Sequence, residues 1–218
     1  MKASELEELA RKQLEKLRGE GEELCPVMAA TRKLASHFWG AAWMKHLALC
    51  ESGGWSLAPG RSLLRHGCVL DLRLSEGSIR ARVMEDRLRE VDITLAPLDD
   101  ERLEALRQAC SGKIASLISL LEGKLDDALL STLCDPETGL LPGPEDWRMS
   151  CTCPDWSEPC PHAAAAIYAT GVLIDADPQL LFQLRRLDPG DLPAIPAHHA
   201  EEADFDLNAL ARTFRIDM

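Results

Sequence analysis

The hydrophobic positions at the start of the chain recur with a helical period. Residues 3–18 place leucines on one face, with Glu and Lys between them, and this pattern predicts an amphipathic helix. A second helix is predicted from about Val27 to Leu49, where Trp39 and Trp43 stand four residues apart and therefore share a face. The N-terminal region, residues 1–59, is accordingly expected to be helical.

The pattern changes to alternation in the middle of the chain. Three short runs between residues 69 and 95 alternate apolar with polar residues, and tight turns separate them, which predicts an antiparallel meander. The helical period returns at Asp99 or Asp100, either of which can act as an N-cap, and it continues to about Leu133. Residues 60–133 are therefore predicted to hold the meander followed by helices.

A loop rich in proline and glycine, residues 134–146, marks a boundary before the last third of the chain. After it, the pattern predicts a short strand, a turn, an alanine-rich helix and a further helix, together forming one unit over residues 147–187. Residues 188–218 are predicted to be a linker and a C-terminal helix. The fold class is α+β: N-terminal helices, a small antiparallel meander, a helical middle and a C-terminal strand-turn-helix unit.

The composition narrows the classes of function. Of the 218 residues, 46% are hydrophobic, which is enough for one substantial core or two small ones. The formal net charge is −12, from 24 Lys and Arg against 36 Asp and Glu, whereas a protein that grips phosphates usually shows the opposite balance. Because the N-terminus lacks an apolar signal core and no run could span a membrane, a cytoplasmic protein with reduced or metal-bound cysteines is expected.

The segment with the most chemical information carries Cys151, Cys153, Cys160 and His162. Zinc prefers thiolate and imidazole ligands, and four of them close a structural tetrahedral site. On an extended strand, side chains two residues apart point the same way, so the first two cysteines can reach one ion. Pro161 suits the first turn of a helix, which places the last two ligands at a helix N-terminus that favours thiolates. The sequence therefore predicts one structural Zn2+ site.

Other uses of these cysteines fit the pattern less well. A Cys151–Cys153 disulfide would close a very small strained ring, and a catalytic zinc would leave one ligand position open to water. The isolated cysteines elsewhere in the chain are expected to act as small apolar residues. A second metal site is the alternative for four residues of the N-terminal region: Cys25, His37, His46 and Cys50.

The Cys-x-Cys and Cys-x-His pairs, with their flanks, resemble the SWIM zinc finger in its bacterial stand-alone form. CTCPDWSEPCPHAAAAIY looks like that finger, and DPQLLFQLRRL is similar to the family's Asp-Pro-x-x-Leu-Phe-x-Leu-Arg ending. Upstream, Trp39-Gly40-Ala41-Ala42-Trp43 and Gly60-Arg61-Ser62 resemble the N-terminal region of such proteins, so the likeness spans residues 38–187. Pro161 departs from the family, which commonly carries Lys there.

The resemblance implies a binding module rather than an enzyme, with no catalytic residues. A zinc-binding adaptor is expected, whose finger binds a protein partner such as a SWI/SNF-like helicase ATPase. Trp156 lies between the zinc ligands and is either a contact for the partner or a lid over the site. The alternative is a DNA-binding accessory protein that uses the finger and the arginines of the meander, of which Arg80 and Arg82 share a strand face.

Overall fold

A four-stranded antiparallel sheet forms the centre of the fold. The computed structural model describes residues 2–29, 33–111, 113, 117–135, 138–188, 190 and 192. The strands lie side by side in chain order: β1 (Val69–Ser75), β2 (Ser78–Met84), β3 (Leu88–Leu95) and β4 (Trp147–Cys151). The first three strands are the predicted meander. The strand predicted within the C-terminal unit is the fourth strand of the same sheet.

Helices account for most of the remaining described structure. Their bounds are α1 (Ala3–Gly19), α2 (Phe38–Ser52), α3 (Ala58–Arg65), α4 (Asp100–Cys110), α5 (Leu117–Leu121), α6 (Asp127–Leu133), α7 (Pro161–Ala176) and α8 (Gln179–Leu184). Asp99 caps α4 as predicted, because its carboxylate accepts a hydrogen bond from the backbone N–H of Arg102 at 2.7 Å. The fold is therefore α+β, as the sequence indicated.

The predicted start of the second helix was wrong by about three turns, since α2 begins at Phe38 rather than near Val27. Val27 donates its backbone N–H to the carbonyl of Val69 at 3.1 Å, and the carbonyl of Cys25 accepts from Leu72 at 2.9 Å. Residues 25–27 are thus extended along the outer edge of β1. A pairing partner distant in sequence satisfies this backbone, so the apolar residues here do not need a helix.

The alanine-rich helix α7 lies in the middle of the core. Its residues from Ala163 to Ala169 are all buried, and the helix contacts α2, α3 and every strand of the sheet. Alanine side chains let α3 approach closely, and at Gly60 an added Cβ would overlap the backbone of Ala164 and Ala165. One continuous hydrophobic core therefore joins the described residues from Leu6 to Leu192.

The division of the chain into four separate regions stays a prediction. They share the single core just described, and residues 193–218, which include the predicted C-terminal helix, lie outside the described residues. Within the described part of the chain, no helix combines the length and the apolar character needed to cross a membrane.

Candidate metal centre

The four predicted ligands lie on one strand-turn-helix unit. Cys151 is the last residue of β4 and pairs with Val91 of β3, so the sheet fixes its position. Cys153 follows two residues later. Cys160 is the N-cap of α7, and its sulfur accepts from the backbone N–H of Ala163 at 3.4 Å. His162 lies in the first turn of that helix.

The structure brings these four side chains together. One ligand atom from each of Cys151, Cys153, Cys160 and His162 lies within 4.8 Å of the others. Sulfurs bound to one tetrahedral zinc at the usual 2.3 Å would be about 3.8 Å apart, so only a small contraction is needed. Three thiolates and one imidazole complete the coordination of a structural zinc, and they leave no position for a reacting water.

The imidazole of His162 gives independent support for a metal. The residue is only 3% exposed, yet neither ring nitrogen makes a hydrogen bond within the described structure. Buried polar nitrogens without partners are costly, and a metal bond satisfies one of them. Nε2 lies 3.1 Å from Oε2 of Glu85, close enough to interact although the alignment is not that of a hydrogen bond.

Hydrogen bonds within the cluster favour negative charge on Cys160. The pKa of its thiol is lowered, chiefly because the Cys151 thiol donates to it, with smaller effects from the nearby His162 ring and from the backbone N–H of Ala163. The same Cys160–Cys151 bond raises the pKa of Cys151, since it holds the proton on that sulfur. A thiolate is the form that binds zinc, so the neighbouring Cys151 thiol and the helix N-terminus together favour the charge state that the ion requires.

Comparison with known proteins agrees with this geometry. Residues 149–171 match the family model described as SWIM zinc finger. This segment is a SWIM zinc finger. The chain is also 25% identical over 170 residues to the uncharacterized protein Rv2102 of Mycobacterium tuberculosis, a match that covers 76% of this chain and 61% of that protein. The search of solved structures gave no significant match.

The upstream motifs that resembled SWIM proteins form the packing surface for the finger helix. The indole of Trp43 donates to the carbonyl of Ile167 in α7 at 3.1 Å and lies against Gly171. From α3, the guanidinium of Arg61 stacks on the ring of Tyr168, with 4.9 Å between its central carbon and the ring centroid. These motifs therefore pack against the finger in the folded protein, although they precede it in the sequence by about half the chain.

The alternative second metal site does not form. Cys50 lies near His46, with its sulfur 3.6 Å from Nε2, but Cys25 is exposed beside β1 and His37 contacts Asp175. Among the described residues, the SWIM ligands are the one set of three or more such side chains that meet. Elsewhere, burial raises the pKa of the Cys68 thiol to about 12, as expected for an unreactive core cysteine.

Trp156 does not cover the zinc site, because 97% of its surface is exposed. It stands on the turn between the ligand pairs, residues 154–159, which we call the knuckle. Asp155 and Glu158 are exposed on either side of it. The lid interpretation of Trp156 is therefore wrong, and the knuckle presents a large aromatic ring and two carboxylates to solvent.

The arginines of the meander are largely matched by carboxylates. Arg82 lies 2.5 Å from Glu22 and 3.4 Å from Asp71, and Arg80 lies 3.4 Å from Asp92 on the neighbouring strand. Two more ion pairs are of the same kind: Arg73–Asp71 and Arg89–Asp86. A phosphate backbone would have to displace these carboxylates, so this face carries little unbalanced positive charge for nucleic acid.

Glu85 is the site residue that sequence reasoning missed. It follows β2 directly and approaches His162 from the sheet. Nothing in its local sequence marks it, because its proximity to the finger arises only when β2 and the start of α7 are brought together. A carboxylate that has no fixed spacing from the zinc motif cannot be recognised from the sequence alone.

Proposed function

We propose that the protein is a non-enzymatic adaptor that uses its SWIM finger to bind a protein partner. In this proposal the zinc is structural. It joins the end of β4 to the start of α7 and holds the knuckle between them in one conformation. The ion does no chemistry on a substrate, because all four of its coordination positions come from the protein.

The exposure of Trp156 is the observation that carries the proposal. Tryptophan is among the residues most enriched at the energetic centres of protein interfaces. Here it is 97% exposed on a turn whose two ends are fixed by metal ligands. An indole has only two rotatable side-chain bonds, so ordering it on binding costs less entropy than ordering a long flexible side chain, which suits an interface anchor.

The charge of the surface favours a protein partner over DNA. The knuckle carries Asp155 and Glu158, the whole chain has a net charge of −12, and the meander arginines are paired with carboxylates. The likeness of the chain to stand-alone SWIM proteins points to a helicase-like ATPase as the first partner to try. Any association with DNA would then pass through the partner.

Site-specific photo-cross-linking tests this proposal. Trp156 is replaced by benzoylphenylalanine in the full-length protein in cells, and Leu49, which is 54% exposed on α2, receives the same residue as a control. The expected result is a discrete protein adduct from position 156 that survives nuclease and is absent from position 49. Adducts that nuclease abolishes would support DNA association instead, and the absence of any adduct at 156 would contradict the adaptor role.

A further inference from the structure

We propose that the partner presents an extended, basic segment that pairs with the outer edge of β4 and places an arginine or lysine side chain on Trp156. This inference rests on the proposed adaptor function and specifies the chemistry of its partner. Three features of the described residues carry it: an open strand edge, a cavity beside it, and the sign of the charge around that cavity.

The outer edge of β4 offers backbone groups for pairing. The hydrogen bonds from Ala96 to Asp146 and from Thr152 to Glu90 set the register of the ladder between β3 and β4. Antiparallel ladders alternate, so the N–H and C=O of Met149 point away from β3. They have no partner among the described residues, and β4 is the last strand of the sheet. An extended peptide can add there as a further strand.

A cavity of about 310 Å3 adjoins this edge. It borders the metal centre, and its lining combines Met149 and Ser150 of β4 with residues of the knuckle and three zinc ligands: Asp155, Trp156, Glu158, Cys151, Cys153 and Cys160. Residues of β4 and of the knuckle thus border one space beside the zinc ligands. A peptide that pairs with Met149 would direct its alternate side chains towards the knuckle, because side chains of a strand alternate between its two faces.

The chemistry of the cavity selects for a cation. The lining carries two carboxylates, those of Asp155 and Glu158, and no Lys or Arg side chain, and the three zinc-binding cysteines add no positive charge. A guanidinium or ammonium group is attracted to the face of an indole, and its alkyl stem packs on the ring. An acidic side chain would meet like charges here, and an apolar one would leave both carboxylates without a counter-charge.

A positional-scanning library of acetylated hexapeptides provides the test. It is applied to the full-length, zinc-loaded protein and read by fluorescence anisotropy. We expect Arg and Lys to be selected at one or more positions. Trp156→Ala should lower the affinity for the selected peptide at least tenfold. The double variant Asp155→Asn with Glu158→Gln should remove the preference for basic residues. Met149→Pro removes an outward N–H while sparing the hydrogen bonds to β3, so it should lower the affinity for every peptide, whatever the charge of that peptide.

Matched controls use similar residues away from the knuckle. Met28→Ala removes another exposed apolar side chain, and Glu101→Gln with Glu104→Gln removes two exposed carboxylates on α4. Both should leave binding unchanged, and zinc content should be equal in all variants.

Three library results would overturn the inference. They are selection of acidic or apolar residues, no selection at all, or a basic preference that Trp156→Ala leaves intact. If position 156 still cross-links to a protein under any of these results, the adaptor function stands and only the basic segment is wrong. If the cross-linking also fails, both the adaptor function and the basic segment are wrong.

Discussion

At the scale of single residues, the metal centre depends on contacts from outside the zinc motif. Histidine ligands of zinc commonly hold a carboxylate on the nitrogen that faces away from the ion, which fixes the ring and raises its basicity. Glu85 is the carboxylate beside His162, with 3.1 Å between Oε2 and Nε2. This contact ties the finger to the end of β2.

Replacing Glu85 with Gln should therefore weaken zinc binding by about 10- to 100-fold, the usual effect of losing such an outer carboxylate. Competition with a chromophoric chelator measures the affinity, and Glu76→Gln in the β1–β2 turn serves as the control. Equal zinc affinity in the Glu85 and Glu76 variants would show that the carboxylate does not support His162.

Gly60 is the residue that permits the close approach of α3 to α7. Gly60→Ala should lower the free energy of unfolding by about 1–3 kcal/mol, because the new methyl group would overlap the backbone of Ala164 and Ala165. Chemical denaturation compares it with Gly19→Ala, where no atom lies within 4 Å of the added Cβ and stability should hold or rise. Similar stability in both variants would contradict the close packing.

At the scale of elements, a buried charge network joins α8 to the start of β4. The side chain of Arg185 is fully buried after α8; its Nη1 lies 3.0 Å from the carboxylate of Asp146 and donates to the carbonyl of Ala96. Arg102 of α4 lies 3.5 Å from the same carboxylate. Arg185 is the arginine of the family-like ending, so that motif has a structural role in the fold.

Arg185→Met should destabilise the protein by roughly 3–5 kcal/mol, since breaking a buried pair leaves Asp146 without its closest counter-charge. The neighbouring Arg186 is exposed, and Arg186→Met should change stability by no more than about 0.5 kcal/mol. Denaturant midpoints of the two variants give the comparison. A midpoint for Arg185→Met equal to that of the wild type would mean that the network contributes nothing.

The sequence predicted the elements that depend on local pattern. The meander has period-two alternation, Asp99 is a typical cap, and the zinc ligands follow a strand-then-helix spacing within a dozen residues. It failed where the structure depends on distant partners. Val27 is extended because it pairs with Val69. Strand β4 joins the sheet because it pairs with β3, and Glu85 contacts His162 only in the folded chain.

At the scale of the whole molecule, the finger helix lies in the core of the protein. Helix α7 packs on all four strands and on α2 and α3, and the described core is continuous. From the sequence alone, the meander could be expected to fold without the zinc unit because it has its own apolar rows. The packing of α7 leads to the opposite expectation, that sheet and finger unfold together.

Cys160→Ser should thus remove hydrogen-exchange protection from β1, β2 and β3 as well as from residues 147–187. Structural zinc in finger peptides supplies about 10–16 kcal/mol of apparent binding free energy, which matches or exceeds the usual 5–15 kcal/mol stability of a domain. Exchange followed by mass spectrometry locates the loss. Retained protection in the three strands would show that the sheet is stable without the metal.

The metal centre as described holds one zinc ion per chain, bound by Cys151, Cys153, Cys160 and His162. Native mass spectrometry of protein purified without a metal-binding tag, with elemental analysis of the same sample, tests it most directly. We expect one equivalent of zinc in the wild type and less than a tenth of that in Cys160→Ser, whereas Cys134→Ser should keep the full equivalent. Iron in place of zinc, no metal, or undiminished zinc in the Cys160 variant would contradict it.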